Sequence, residues 1–113
     1  MASEAYSGSA TIGTTEYDCP SASTSIGAVA TAGIYQVFVD LAALTASDRY
    51  RLRIYEMCRS GDTQRLVHEA TYVGVLPDPI AVTPALLLMH GWTVTLKKLQ
   101  GTDRAIAWSI RRA

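Results

Sequence analysis

Apolar and polar side chains alternate with period two along most of the chain from residue 34 onward. Trp92, Val94 and Leu96 alternate with Thr93, Thr95 and Lys97. Ile106, Trp108 and Ile110 alternate with Ala107, Ser109 and Arg111. Alternation rich in β-branched and aromatic residues predicts half-buried strands. Between these two runs lies Gln100-Gly101-Thr102-Asp103, a polar stretch with a glycine that suits a hairpin loop. In "IYQVFVDL", Ile34 to Leu41, the clean apolar face is Tyr35, Val37, Val39 and Leu41. In "YRLRIYEMC", Tyr50 to Cys58, Tyr50, Leu52 and Ile54 go inward and Arg51 and Arg53 outward. "RSGD", Arg59 to Asp62, marks a turn, and Thr63 to Val75 reads as the returning strand, with Gly74 a possible bulge. "AALTASD" reads as a turn or a short helical step. Pro77, Pro79 and Pro84 exclude a helix interior or a central strand at their positions. The sum is about seven or eight short strands and no amphipathic helix, an all-β sandwich or barrel.

Residues 1–33 read differently. "SASTSIGAVATAG", Ser21 to Gly33, has no charge and few large side chains. "SATIGTTEY", Ser9 to Tyr17, carries enough threonine and apolar residues for one or two short strands. The segment is either a flexible arm or a set of edge strands, and it buries little surface alone. The expected division is an N-terminal arm over 1–33 and a β-sandwich over 34–113.

A length of 113 residues sets one domain as the natural expectation, and 49 % apolar residues suit a globular chain. The longest apolar cluster, Ala85 to Met89, is far too short for a membrane span, so no membrane partner is expected. "MASEAYSGSA" lacks a basic region followed by an apolar block, which points to a cytosol-like compartment of synthesis. Cys19 and Cys58 match no metal-ligand spacing, and a bridge between them needs a fold that brings them together.

Charge changes the picture more. The formal net charge is zero, yet no lysine or arginine precedes Arg49, and the part before Asp48 carries Glu4, Glu16, Asp18 and Asp40. From Asp48 onward ten basic residues face six acidic ones. This balance falls short of the basic excess that nucleic acids require. It fits complementary surfaces, within one subunit or between neighbours. Arg51 and Arg53, on one strand face, could hold an acidic partner, or simply form a solvated face bonded to a cross-strand carboxylate.

No reaction centre is legible. His68 and Glu69 are adjacent on a strand, so they point to opposite faces; His68 shares its face with Leu66, Ala70 and Tyr72 and reads as a core or boundary residue. His90 reads as a turn residue beside Gly91. Asp78 and Asp103 lie in turns, where aspartate caps backbone amides. No phosphate-binding loop and no set of acid, base and nucleophile stands out, so no catalytic residue, metal or cofactor is expected.

Three stretches carry a resemblance across nearly the whole chain: "TIGTTEY", "IYQVFVDLAALTASDRYRLRIYE" and "LLLMHGWTVTLKKLQGTDRAIAWSIRR". Together they resemble small virion structural proteins of tailed bacteriophages, of the capsid decoration or cement type. The resemblance implies a β-sandwich or jelly-roll domain on the outside of the head shell. It implies the major capsid protein as partner, clamped at symmetry axes against internal DNA pressure. A trimer is the natural homo-oligomer for such a binder. It carries over no catalytic residues. With the arm as the contacting element and weak contacts multiplied by symmetry, the candidate partner contacts are Tyr6, Thr11, Ile12, Glu16 and Tyr17, joined by Arg51 and Arg53.

A second reading is a tail, baseplate or fibre-associated β domain that binds a receptor or carbohydrate. It requires two or three of Tyr6, Tyr17, Tyr35, Tyr55 and Tyr72 to cluster on one exposed surface.

Overall fold

The computed structural model describes residues 2–113. Nine strands run in chain order: β1 (Ser3–Ile12), β2 (Tyr17–Asp18), β3 (Gly33–Asp40), β4 (Arg49–Met57), β5 (Gln64–Val73), β6 (Ile80–Val82), β7 (Leu86–Leu88), β8 (Thr93–Gln100) and β9 (Arg104–Arg112). They form two antiparallel sheets. One has the order β1-β9-β3-β6, with β7 also pairing β3; the other has the order β2-β8-β4-β5. The chain crosses between sheets at β1 to β2, β2 to β3, β3 to β4, β5 to β6, β7 to β8 and β8 to β9. Counting β6 and β7 as one interrupted strand, this is the eight-strand jelly roll of two Greek keys.

Pro84 causes that interruption, since it has no N–H to give to β3. Thr83 repairs the ladder there. Its backbone N–H donates to Val37 O at 3.0 Å, and its hydroxyl accepts from Val37 N at 3.0 Å.

The residues expected to point inward do so. Tyr35, Val37, Val39 and Leu41 from β3 and its end, Tyr50, Leu52 and Ile54 from β4, Trp92, Val94 and Leu96 from β8, and Ile106, Trp108 and Ile110 from β9 are all buried. Tyr35 and Tyr6 pack on Trp92 at ring distances of 4.4 and 6.1 Å.

The last two strands differ from expectation. They are not a hairpin: β8 pairs β2 and β4, while β9 pairs β1 and β3. Their apolar faces meet across the core instead of lying side by side. The loop from Gln100 to Asp103 carries the chain from one sheet to the other, with Gly101 at φ +97°. Alternation specifies which face is buried, and says nothing about which strand lies alongside.

The β4–β5 hairpin forms as expected, with Asp62 N bonded to Arg59 O at 3.0 Å in its turn. Its bulge is not at Gly74. The register slips where Ile54 faces His68 and Tyr55 faces Leu66, which leaves Val67 unpaired. Leu66 therefore does not share the face of His68; it is 44 % exposed. Gly74 instead takes φ +69° beyond β5, where its N–H donates to Asp48 O at 2.9 Å.

Of the two readings of the N-terminal segment, residues 2–33 take the edge-strand one and form no separate arm. Ser3–Ile12 is the edge strand of the five-stranded sheet, and Tyr17–Asp18 is the edge strand of the other. The small residues of β1 have a packing reason: a Cβ on Gly8 would meet the Trp108 ring at 2.9 Å. The Ser/Thr/Ala stretch after β2 is pinned too. Val29 exchanges backbone bonds with Trp92 at 2.7 and 3.0 Å, and Thr31 O accepts from Tyr35 OH and from Trp92 Nε1, each at 3.0 Å.

Candidate functional site

Because Tyr50, Leu52 and Ile54 turn inward, β4 presents Arg49, Arg51, Arg53 and Tyr55 on the outer face of the four-stranded sheet. The same alternation puts Thr93, Thr95 and Lys97 of β8 on that face. Register aligns them into rows across the strands. Thr95, Arg53 and Glu69 form one row, and Lys97, Arg51 and Thr71 form the next.

The first row is charge-balanced, and hydrogen bonds link it across the strands. Arg53 Nε meets Glu69 Oε2 at 2.9 Å, and its Nη1 donates to the Tyr55 hydroxyl at 3.3 Å. Tyr55 in turn donates to Glu16 Oε2 at 2.7 Å, and Thr95 Oγ1 donates to the same oxygen at 2.5 Å. The Tyr55 hydroxyl first, and Glu69 with it, raises the Arg53 pKa, so this guanidinium stays cationic. Beside the row, buried Asp18 accepts from the Thr93 hydroxyl, from Ser21 N at 3.0 Å and from Gly27 N at 3.3 Å. It folds the loop after β2 down over β8, which explains why the outward Thr93 and Thr95 are nevertheless buried.

The second row is not balanced. Lys97 and Arg51 lie directly opposite each other, and neither is in an ion pair among the described residues. Arg51 Nε is buried and has no hydrogen-bond partner. Like charges placed opposite on a sheet destabilise it, and a buried donor without an acceptor costs about 1–3 kcal/mol. Such a row has the chemistry to receive a carboxylate or another anionic group.

Of the expected contact residues, Glu16 and Arg53 come together through Tyr55, and Arg51 sits one row away. Thr11 is exposed on the other sheet, opposite Ala105. Ile12 is corrected outright: it is fully buried and cannot touch a partner. Tyr6 packs against Trp92, and Tyr17 lies 5.4 Å from the Trp108 ring, so both serve the core. The residues sequence reasoning missed are Lys97, Thr95 and Glu69; Tyr55, a candidate of the receptor reading, joins them through Glu16 and Arg53. Alternation put them outward, but the register that sets them beside arginines is a tertiary property.

The five tyrosines do not form an exposed cluster. Tyr35 is buried, Tyr6 and Tyr17 join the core, Tyr72 faces the core from β5, and Tyr55 is held in the Glu16 network. No group of three His, Cys, Asp or Glu side chains is set to hold a metal among the described residues. Cys19 is buried and Cys58 exposed, and both are free. Burial, with Asp18 adding to it, pushes the Cys19 thiol far up and keeps it protonated. The depression between Glu56, Cys58 and Arg65 is open, and Glu56 is engaged as an acceptor for Met89 N at 2.6 Å and His90 N at 3.1 Å.

Neither a protein-family model nor a curated protein matches the chain. Among solved structures it is similar to an Eiger TNF from S. frugiperda, at 12 % identity over 100 % of this chain and 92 % of that one, with a TM-score of 0.49.

Proposed function

We propose that the protein is a virion structural protein of a tailed bacteriophage, a decoration protein on the outside of the head shell. It binds the major capsid protein, as a homo-oligomer, and stabilises contacts between neighbouring capsid subunits. The observation that carries the reading is the unbalanced row of Lys97 and Arg51 on an outer sheet face. A compact jelly roll with a cationic row that makes no ion pair among the described residues suits docking onto an acidic patch of a repeated partner. Many identical sites make such modest contacts effective. The receptor or carbohydrate reading depended on an exposed tyrosine cluster, and the tyrosines are spent on the core and on the Glu16 network.

Quantitative mass spectrometry of purified virions tests this. A copy number near that of the major capsid protein is the expected result. A few copies per particle would place the protein at the neck, tail or fibre, and its absence from virions would end the proposal.

A further inference from the structure

The outer face of the five-stranded sheet is apolar over β3, β6 and β7, where a solitary domain would be polar. Ile34, Ile80, Val82 and Leu87 are 48, 54, 47 and 67 % exposed on β3, β6 and β7. Phe38 lies among them, and Ala105 and Ala107 continue the surface across β9. Contiguous apolar surface of this kind marks an interface.

Two charges flank it. Asp40 is exposed at one end, in the row of Ala107 and Ile80. Arg111 stands at the other end, in the row of Gln36, with its guanidinium 3.8 Å from the Phe38 ring centre. Neither is in an ion pair among the described residues. Arg111 Nε donates to Ser109 Oγ at 3.1 Å; Glu4, directly opposite Arg111 in the ladder, accepts from the Ser109 hydroxyl and makes no ion pair with the guanidinium.

The placement is symmetric. Phe38 and Ser109 face each other in the ladder. Asp40 lies two residues beyond Phe38 on β3, and Arg111 two residues beyond Ser109 on β9, in the opposite direction along the sheet. Each is therefore about 7 Å from the central row, at ~3.4 Å per residue. A two-fold axis lying in the face, across the strands and through that row, inverts the strand direction. It sets Asp40 of one copy over the Gln36–Arg111 row of the other, one strand spacing of ~4.8 Å aside and within an arginine's reach. The operation repeats itself, so two ion pairs form, and Phe38, Val82, Ile80 and Ala107 pack between sheets ~10 Å apart.

We propose that the protein forms a two-fold dimer through the outer faces of its five-stranded sheets, locked by reciprocal Asp40–Arg111 pairs. A face that is its own charge complement fits a second copy of this chain better than an unrelated partner. The inference stands apart from the virion reading, since it uses the opposite face and needs no capsid. It replaces the expected three-fold assembly with a two-fold one.

Sedimentation equilibrium over a wide concentration range, at physiological salt, tests it. The wild-type chain is expected to be a dimer. Asp40→Arg and Arg111→Asp should each raise the dissociation constant at least about tenfold, and the two together should restore dimerisation. Far-UV circular dichroism checks that each variant folds. Should a charge reversal fail to fold, Val82→Lys, on an exposed site outside the pair, is expected to give a monomer. A wild-type monomer at all concentrations, or an oligomer that both single reversals or Val82→Lys leave intact, overturns the proposal.

Discussion

Asp48 holds the loop end of the sandwich together. It is buried, and its carboxylate accepts from Thr45 N at 2.8 Å, from Thr102 N at 3.0 Å and from Arg104 Nε at 2.9 Å. One side chain thus ties the β3–β4 connection to the β8–β9 crossover. The Thr45 amide first, then the Thr102 amide and Arg104, bring its pKa from 3.8 down to about 2. A depressed carboxyl pKa means the unfolded chain binds the proton more readily. The contribution is therefore complete above about pH 4 and is lost as pH falls towards 2. Urea midpoints of the wild type and of Asp48→Asn should differ most near neutrality and converge over that window. A gap that ignores pH would show that the charge is not what matters. Gly101 supports the same contact. At φ +97° it has a conformation that other residues resist, and a Cβ there would sit 2.1 Å from Asp48 Oδ1 and 2.9 Å from Ser47 O. Gly101→Ala should lose more than about 2 kcal/mol in denaturant unfolding. A loss below about 0.5 kcal/mol would mean that the crossover rearranges freely. Turn aspartates were expected to cap amides at Asp78 and Asp103. Asp103 pairs with Lys98 at 2.5 Å instead, and the capping role falls to Asp48, whose partners come from distant parts of the chain.

At the scale of elements, β1 decides how the N-terminal segment behaves. It covers β9 along its whole length, brings Tyr6 to Trp92, and ends in Ile12 at the centre of the core. Removing residues 2–12 strips the β9 edge and the Ile12 side chain together. Truncating one buried isoleucine costs about 2–5 kcal/mol, against a typical total of about 5–15. The shortened chain should lack a cooperative thermal transition in calorimetry. A sharp transition near the wild-type temperature would mean that the segment is dispensable, as a true arm would be. Sequence conceals this strand for a physical reason: its inward positions include Gly8 and Ala10, small because Trp108 fills the space beneath. The long strands were legible because burial on one face enforces alternation in β3, β4, β8 and β9. The partners of those strands were not, since β8 and β9 would alternate identically in a hairpin or across a sandwich. The short β6 and β7 were hidden for another reason. Pro84 splits them, and their outward Ile80, Val82 and Leu87 are as apolar as any core.

For the molecule as a whole, the uneven charge along the chain explains where free cations remain. The acidic residues ahead of Asp48 accept hydrogen bonds within the fold and make no ion pair among the described residues. Glu4 accepts from Ser109, Glu16 from Thr95 and Tyr55, Asp18 from Thr93, and Asp40 from Ala42 N. Among the described residues all four ion pairs fall within the part from Asp48 onward, at Arg53–Glu69, Arg59–Asp62, Lys98–Asp103 and Arg104–Asp48. With the acids so engaged, neither Lys97 nor Arg51 is in an ion pair among the described residues. A row kept for a partner and a row kept for the fold respond oppositely to substitution. Arg51→Met removes the buried Nε that has no acceptor and ends the repulsion with Lys97. It should leave stability unchanged or raise it by about 1 kcal/mol. On the proposed function, the same change should weaken attachment to purified shells at least about tenfold, and attachment of the wild type should fall steeply with added salt. Arg53→Met is the contrast, because it breaks the bonds to Glu69 and Tyr55 and should destabilise the domain. Unfolding and shell binding measured on both variants separate the roles. Should Arg51→Met lose stability and bind shells unchanged, the Lys97–Arg51 row would belong to the fold, and the docking surface would have to lie elsewhere.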